Sequence, residues 1–171
     1  MSALRVAGID PGTFRTGIGI LEQESNGRFV LTHAETIRAN AKKSLPERLC
    51  EIYNNLKKIL TIYRPNVAAI ENVFYSKDFR AAVKIGEARA VAMLAAMELA
   101  IPIEEYPPAR VKEAICGNGR AHKSQVQFMV KQLLRLKELP SPDSADALAI
   151  AMCHFHTTRW SLKKLGTAVN I

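Results

Sequence analysis

Cysteine is scarce and unpaired by spacing: Cys50, Cys116 and Cys153 are odd in number and hold no C-x-x-C arrangement. That excludes a disulfide framework and a cysteine zinc finger, and it favours reduced, buried thiols in a cytosolic protein. No H-x-x-x-H pair occurs, so imidazole-bound zinc has no motif either. Cys153-His154-Phe155-His156 gathers soft ligands, but its spacing fits no common finger and it sits in an apolar helical stretch, which makes it structural. Long hydrophobic runs are also missing. Val91–Met97 falls far below membrane-spanning length, and Met1-Ser2-Ala3-Leu4-Arg5 enters a strand pattern without a signal-peptide layout. A cytoplasmic protein with no membrane association is expected. Repeats and low-complexity tracts are absent as well.

Negative charge is in deficit. Sixteen acidic residues face 24 basic ones, giving a net charge of +8 and a pI near 9.6. The excess is uneven: between Pro107 and Pro140, seven basic residues (Arg110, Lys112, Arg120, Lys123, Lys131, Arg135, Lys137) oppose only Glu113 and Glu138. Such a stripe is an electrostatic footprint for phosphates, with a solvated lysine-rich surface as the ordinary alternative on charge alone. At 171 residues the chain has room for one domain and no second catalytic one. That domain is expected over residues 1–158, with 159–171 as a basic C-terminal tail.

Against this basic background, acids stand where apolar segments begin or end. Asp10 closes Leu4–Ile9, Glu71 closes Val67–Ile70, and Asp143 with Asp146 opens a helix-like run. Strands would deliver the first two to one sheet edge, and i, i+3 spacing puts the other pair on one helical face near a positive helix end. Each has an ordinary explanation alone: Asp10-Pro11-Gly12-Thr13 is a turn opener, and Asp143 suits a helix N-terminus. Together they would repel one another without a cation. An all-oxygen donor set suits Mg²⁺.

The element pattern is a three-strand meander (Leu4–Asp10, Thr16–Glu24, Arg28–Arg38) with a type I′ hairpin at Asn26-Gly27. A helix capped by Ser44-Leu45-Pro46-Glu47 and ended by Arg64-Pro65 follows. Then come a strand over Asn66–Glu71, a helix over Lys77–Leu99, a strand over Pro102–Tyr106, and helices over Pro108–Cys116, His122–Leu136 and Pro142–Thr158. This order predicts an α/β fold: a five-stranded mixed sheet with helices on both faces. If the first and fourth strands are neighbours, Asp10 and Glu71 meet at the carboxyl ends where ligands gather.

At these residues the chain resembles the RuvC family of bacterial crossover-junction (Holliday-junction) endodeoxyribonucleases, within the ribonuclease H-like superfamily. The resemblance runs through Gly8–Gly12, Ile70–Phe74, Lys84–Arg89, Gly117–Val126 with Lys123-Ser124-Gln125-Val126, and Asp143–Ala151, covering nearly the whole chain. Departures are mild. Asn72 and Ala90 stand where Gln and Gly are expected, and Asp143 takes a position that is His in some relatives, which bears on metal affinity.

The resemblance implies a ribonuclease H-like fold and a homodimeric nuclease of recombination and DNA repair. Such an enzyme cuts two strands of like polarity across a four-way junction by Mg²⁺-dependent phosphodiester hydrolysis. It implies Asp10, Glu71, Asp143 and Asp146 as catalytic and metal-holding acids, with two Mg²⁺ per site, about 3.5 to 4 Å apart, and Mn²⁺ as a substitute. Asp10 would bridge the ions. DNA contacts fall to Phe74, Lys84, Arg110, Lys112, Arg120 and Lys123, of which Lys123 is placed to reach the scissile phosphate. Phe74 would stack on an unpaired base, or be a packing residue. Branch-migration proteins RuvA and RuvB are the implied partners.

Val91–Met97 is apolar all round, so one face is expected on the sheet and the other on a twofold mate, unless the helix is buried within one subunit. Asp10-Pro11-Gly12-Thr13 also resembles the phosphate loop of actin-like and sugar-kinase ATPases, but those need two such domains. A non-catalytic junction-binding module and a nuclease of ribosomal RNA precursors are the other readings. The Lys123–Val126 and Asp143–Ala151 matches weigh against the last.

Overall fold

A computed structural model describes residues 4–24, 26–72 and 79–167. Its sheet has five strands. Strands β1 (Leu4–Asp10), β2 (Arg15–Gln23) and β3 (Phe29–Arg38) form the antiparallel meander. β4 (Val67–Glu71) and β5 (Ile103–Tyr106) add in parallel beyond β1, so the first and fourth strands are neighbours as expected.

The hairpin between β2 and β3 forms with a different turn from the one expected. Type I′ needs two left-handed residues. Gly27 has φ 87°, whereas Asn26 is not among the positive-φ residues described. Asn26 works through its side chain instead, its Oδ1 accepting from the Arg28 N–H at 2.8 Å. The loop is closed by the Gly27 N–H to Glu24 O at 2.8 Å and the Glu24 N–H to Arg28 O at 2.9 Å. Asx-type bonding of this kind competes with the left-handed conformation that the tight turn requires.

Helix α1 (Leu45–Tyr63) begins where its capping sequence predicts: the Glu47 carboxylate accepts from the Ser44 N–H at 2.8 Å. It stops at Arg64, left-handed at φ 44°, before Pro65. Helix α2 (Phe79–Met97) follows β4; α3 (Pro108–Cys116), α4 (Lys123–Leu134) and α5 (Pro142–Thr167) follow β5. The last helix runs past the expected end at Thr158, as far as Thr167. No helix among the described residues is long and apolar enough to cross a membrane.

Strand alternation splits the core in two. Ala7, Ile9, Ile18, Ile20, Ala68 and Ile70 face α1 and α2, packing with Ile52, Leu56, Ala92 and Ala95. Val6, Leu21, Ala69 and Tyr106 face the other way, under Val111, Val126, Leu148 and Met152 of α3, α4 and α5. On this second face the sheet is bare beneath α5. A Cβ on Gly8 would lie 1.9 Å from Ala147 O, and one on Gly17 would lie 2.0 Å from Asp143 O. Glycine there removes the standoff a side chain would impose, and α5 rests directly on the backbone of β1 and β2. Its first turn, held by Thr36 Oγ1 to Ser141 Oγ at 2.8 Å, comes to lie over the ends of those strands.

Candidate active site

Asp10 and Glu71 end adjacent parallel strands and, with Gly8 and Ala69 paired in register, project to the face covered by α3, α4 and α5. There they meet Asp146, from the first turns of α5, and Lys112 and Lys123, from α3 and the start of α4. Together with Pro108, Val111 and Val126 these side chains line a cleft of ≈ 160 Å³. Lys123 Nζ donates to Asp146 Oδ2 at 3.0 Å.

The electrostatics are those of crowded, partly dehydrated carboxylates. Burial is the largest influence on Asp10, followed by the charges of Glu71 and Asp146; against the relief given by Lys123 and with a smaller push from Asp143, its pKa rises from 3.8 to about 7. Glu71 is raised too, by burial and then by Asp146, with Lys123 and Lys112 opposing. Lys123 is raised by its hydrogen bond to Asp146 and by that carboxylate's charge, with Asp10 and Glu71 adding to it. A cleft whose burial and crowding disfavour ionised carboxylates accepts positive charge readily.

Of the four acids singled out in the sequence, three share this cleft. Asp143 does not line it and reaches Asp10 only as the weakest of the acidic influences. As the side chains stand, no group of three His, Cys, Asp or Glu residues among those described could hold a metal ion, and the positive charge at Asp146 is the Lys123 ammonium. The donor chemistry nevertheless fits a hard divalent cation: carboxylate oxygens only, desolvated, and mutually repelling.

The expected DNA contacts divide. Lys112 and Lys123 line the cleft. Arg110 instead faces Glu113 at 3.2 Å, beside a separate hollow with His156. Arg120 is exposed in the loop after α3, its N–H bonded to Asn118 Oδ1 at 2.9 Å. Lys84 is exposed on α2, the helix packed on the opposite sheet face. Phe74 lies outside the described residues. Sequence reasoning passed over Val111 and Val126, the apolar wall that dehydrates the acids. Val126 lies three residues after Lys123, hence on the same helical face, which was the available signal.

A mixed sheet with three antiparallel strands and two parallel ones, carrying acids at the ends of β1 and β4 under the first turns of α5, defines a ribonuclease H-like nuclease. Residues 6–154 match the family model described as crossover junction endodeoxyribonuclease RuvC. A crossover junction endodeoxyribonuclease RuvC of Geobacter sp. (strain M21) is 43% identical over 156 residues, 91% of this chain and 94% of that protein. The Thermus thermophilus RuvC structure matches with a TM-score of 0.83 at 36% identity, covering 92% of this chain and 97% of that one. T. thermophilus RuvC in complex with Holliday junction substrate matches with a TM-score of 0.85 at 35% identity, covering 92% and 96%. The chain belongs to the RuvC family of crossover junction endodeoxyribonucleases.

Proposed function

We propose that this nuclease acts in the cytoplasm as a homodimer that resolves four-way DNA junctions in recombination and repair, hydrolysing one phosphodiester in each of two strands of like polarity. Asp10, Glu71 and Asp146, with Asp143 at the margin, would hold Mg²⁺, two ions per site. The observation that carries this reading is the acidic cleft itself, with Asp10 pushed up to about 7 inside a chain of net charge +8. Repelling carboxylates flanked by lysines suit a cation and a phosphate together, and neither alone.

In the reaction a water oxygen bonds to phosphorus as the P–O3′ bond breaks, leaving a 3′-hydroxyl and a 5′-phosphate. Bound Mg²⁺ supplies the Lewis acidity and the lowered water pKa for this chemistry. The chain's own groups set the stage. Lys112 and Lys123 neutralise the non-bridging phosphate oxygens, and the charge that develops on them in the transition state strengthens the Lys123 contact. Val111 and Val126 keep bulk water from the acids, which makes each charge interaction in the cleft stronger. Asp146 would exchange its Lys123 partner for the cation as Lys123 turns to the phosphate.

The dimer reading rests on α2. Ala92, Ala95 and Ala96 are buried in the core with the strand side chains, while Leu94 and Met97 are 55% and 59% exposed on the other side of the helix. Large apolar side chains left bare on a helix of small residues fit a twofold mate. By family resemblance, RuvA and RuvB would deliver the junction.

Incubating the protein with a synthetic four-way junction, a linear duplex and an RNA hairpin, each with Mg²⁺ or EDTA, tests the reading. Paired symmetric nicks in the junction alone, dependent on Mg²⁺, are expected; cutting of the RNA hairpin, or of all three alike, would overturn it.

A further inference from the structure

Beyond the cleft, on its β2–β3 side, two arginines oppose each other across the sheet. Arg15 and Arg38 are directly paired in the β2–β3 register, and both are exposed. They lie on the face that carries the acids. Gly17, two residues along β2 from Arg15, is the register partner of Asp10, and Thr36, two residues along β3 from Arg38, bonds to Ser141 at the start of α5.

Like charges directly opposite on adjacent strands repel and weaken a sheet. Two other basic groups at this end are already engaged: the Arg48 guanidinium bonds to Thr13 O at 3.2 Å and Lys43 O at 2.8 Å and lies 4.1 Å from the Phe14 ring centroid, while Lys43 pairs with Glu51. Neither the Arg15 nor the Arg38 side chain has an ion-pair or hydrogen-bond partner among the described residues. Two unpaired arginines at one register position on this face leave room for an anion between them.

We propose that Arg15 and Arg38 together clamp a backbone phosphate of the DNA strand being cut, on the side of the acids opposite Lys112 and Lys123. The proposal rests on the junction-cutting reading and adds to it a second anchoring point and the strand's direction across the face, from α3 and α4 over Asp10 toward β3. Two residues along a strand and one strand across is roughly 8 Å, on the order of the spacing between consecutive phosphates along one DNA strand. The clamped group is therefore a neighbour of the scissile phosphate and not the scissile phosphate itself. Phosphate is the fitting occupant because planar guanidiniums bind its oxygens in forked pairs.

The test compares wild type, Arg15→Gln, Arg38→Gln, the double variant and Arg15→Lys. Binding of a synthetic four-way junction in EDTA is measured by fluorescence anisotropy across a salt series, beside thermal melting and Mg²⁺-dependent cutting. Each glutamine should weaken binding roughly tenfold, and the double variant should reduce the slope of log K against log salt by about 0.9, one phosphate. Arg15→Lys should retain the slope, and removing the repulsion should leave the melting temperature of the glutamine variants unchanged or higher. A double variant that keeps the wild-type slope and affinity overturns the clamp, as does lost binding accompanied by a clear fall in melting temperature. Wild type that neither binds nor cuts the junction overturns the functional reading, and the clamp with it.

Discussion

Gly17 lies directly beneath Asp143: a Cβ at this glycine would approach the aspartate's carbonyl oxygen to 2.0 Å. The seat of α5, and with it the height of Asp143 and Asp146 above Asp10, is set by the absence of one carbon atom. Gly17→Ala should lift the first turn of the helix and cost about 3 kcal/mol of stability, the upper range for overpacking. Junction cutting should fall at temperatures where the variant is still folded, and thermal melting beside a cleavage time course separates the two losses.

Asp10→Asn should reduce cutting by roughly three orders of magnitude or more, the scale of losing a principal electrostatic contact in a reaction site. Junction affinity in EDTA should hold or improve, since one negative charge leaves the path of the phosphate. Mg²⁺-dependent nicking at the wild-type rate by this variant would remove Asp10 from the chemistry.

Acidity gives a thermodynamic signature in metal-free protein. Asp10 keeps its proton up to about pH 7 when folded but releases it near 3.8 when unfolded. Between those values folding takes up a proton, so this contribution to stability declines as pH rises from about 4 to about 7 and is flat above. Wild type and Asp10→Asn should therefore melt alike near pH 4 and separate as pH rises, the variant becoming the more stable, and Mg²⁺ should raise the wild-type melting temperature more at pH 8 than at pH 5. His154, lowered by burial, works in the opposite direction, and the wild-type minus variant difference cancels it. A pH-independent difference would contradict the raised Asp10.

Lys123→Ala should slow cutting and reduce the salt slope of junction binding by about 0.9, one phosphate contact. Cutting and slope that both match wild type would leave Lys123 as a partner of Asp146 alone.

Leu94→Glu combined with Met97→Glu should shift sedimentation toward the monomer and abolish paired nicking while the monomer stays folded, because both side chains are exposed in the single chain, and its melting temperature should lose the concentration dependence that a dimer shows. An unchanged sedimentation coefficient would move the subunit contact off α2.

Much of this architecture could be read from local chemistry. Ser44 and Glu47 marked the start of α1, and Arg64-Pro65 its end, because caps act within one turn of the chain. Asp10 and Glu71 followed from apolar strands ending in acid. What escaped depended on contacts distant in sequence or on competing local bonds. Asn26 spends its side chain on Arg28, which sequence alone does not choose over a tighter turn. Asp143 and Asp146 look equivalent at i, i+3, yet with α5 seated on Gly8 and Gly17 Asp146 lines the cleft and Asp143 does not. Arg110 and Lys112 belong to one basic stripe, but only the latter reaches the acids.

The walls of the cleft come from opposite ends of the chain: Asp10 from β1, Asp146 from α5, the final helix of the fold. Asp146 therefore joins Asp10 and Glu71 only when α5 has settled onto Gly8 and Gly17, and the acidic cleft closes only once contacts far apart in sequence have formed.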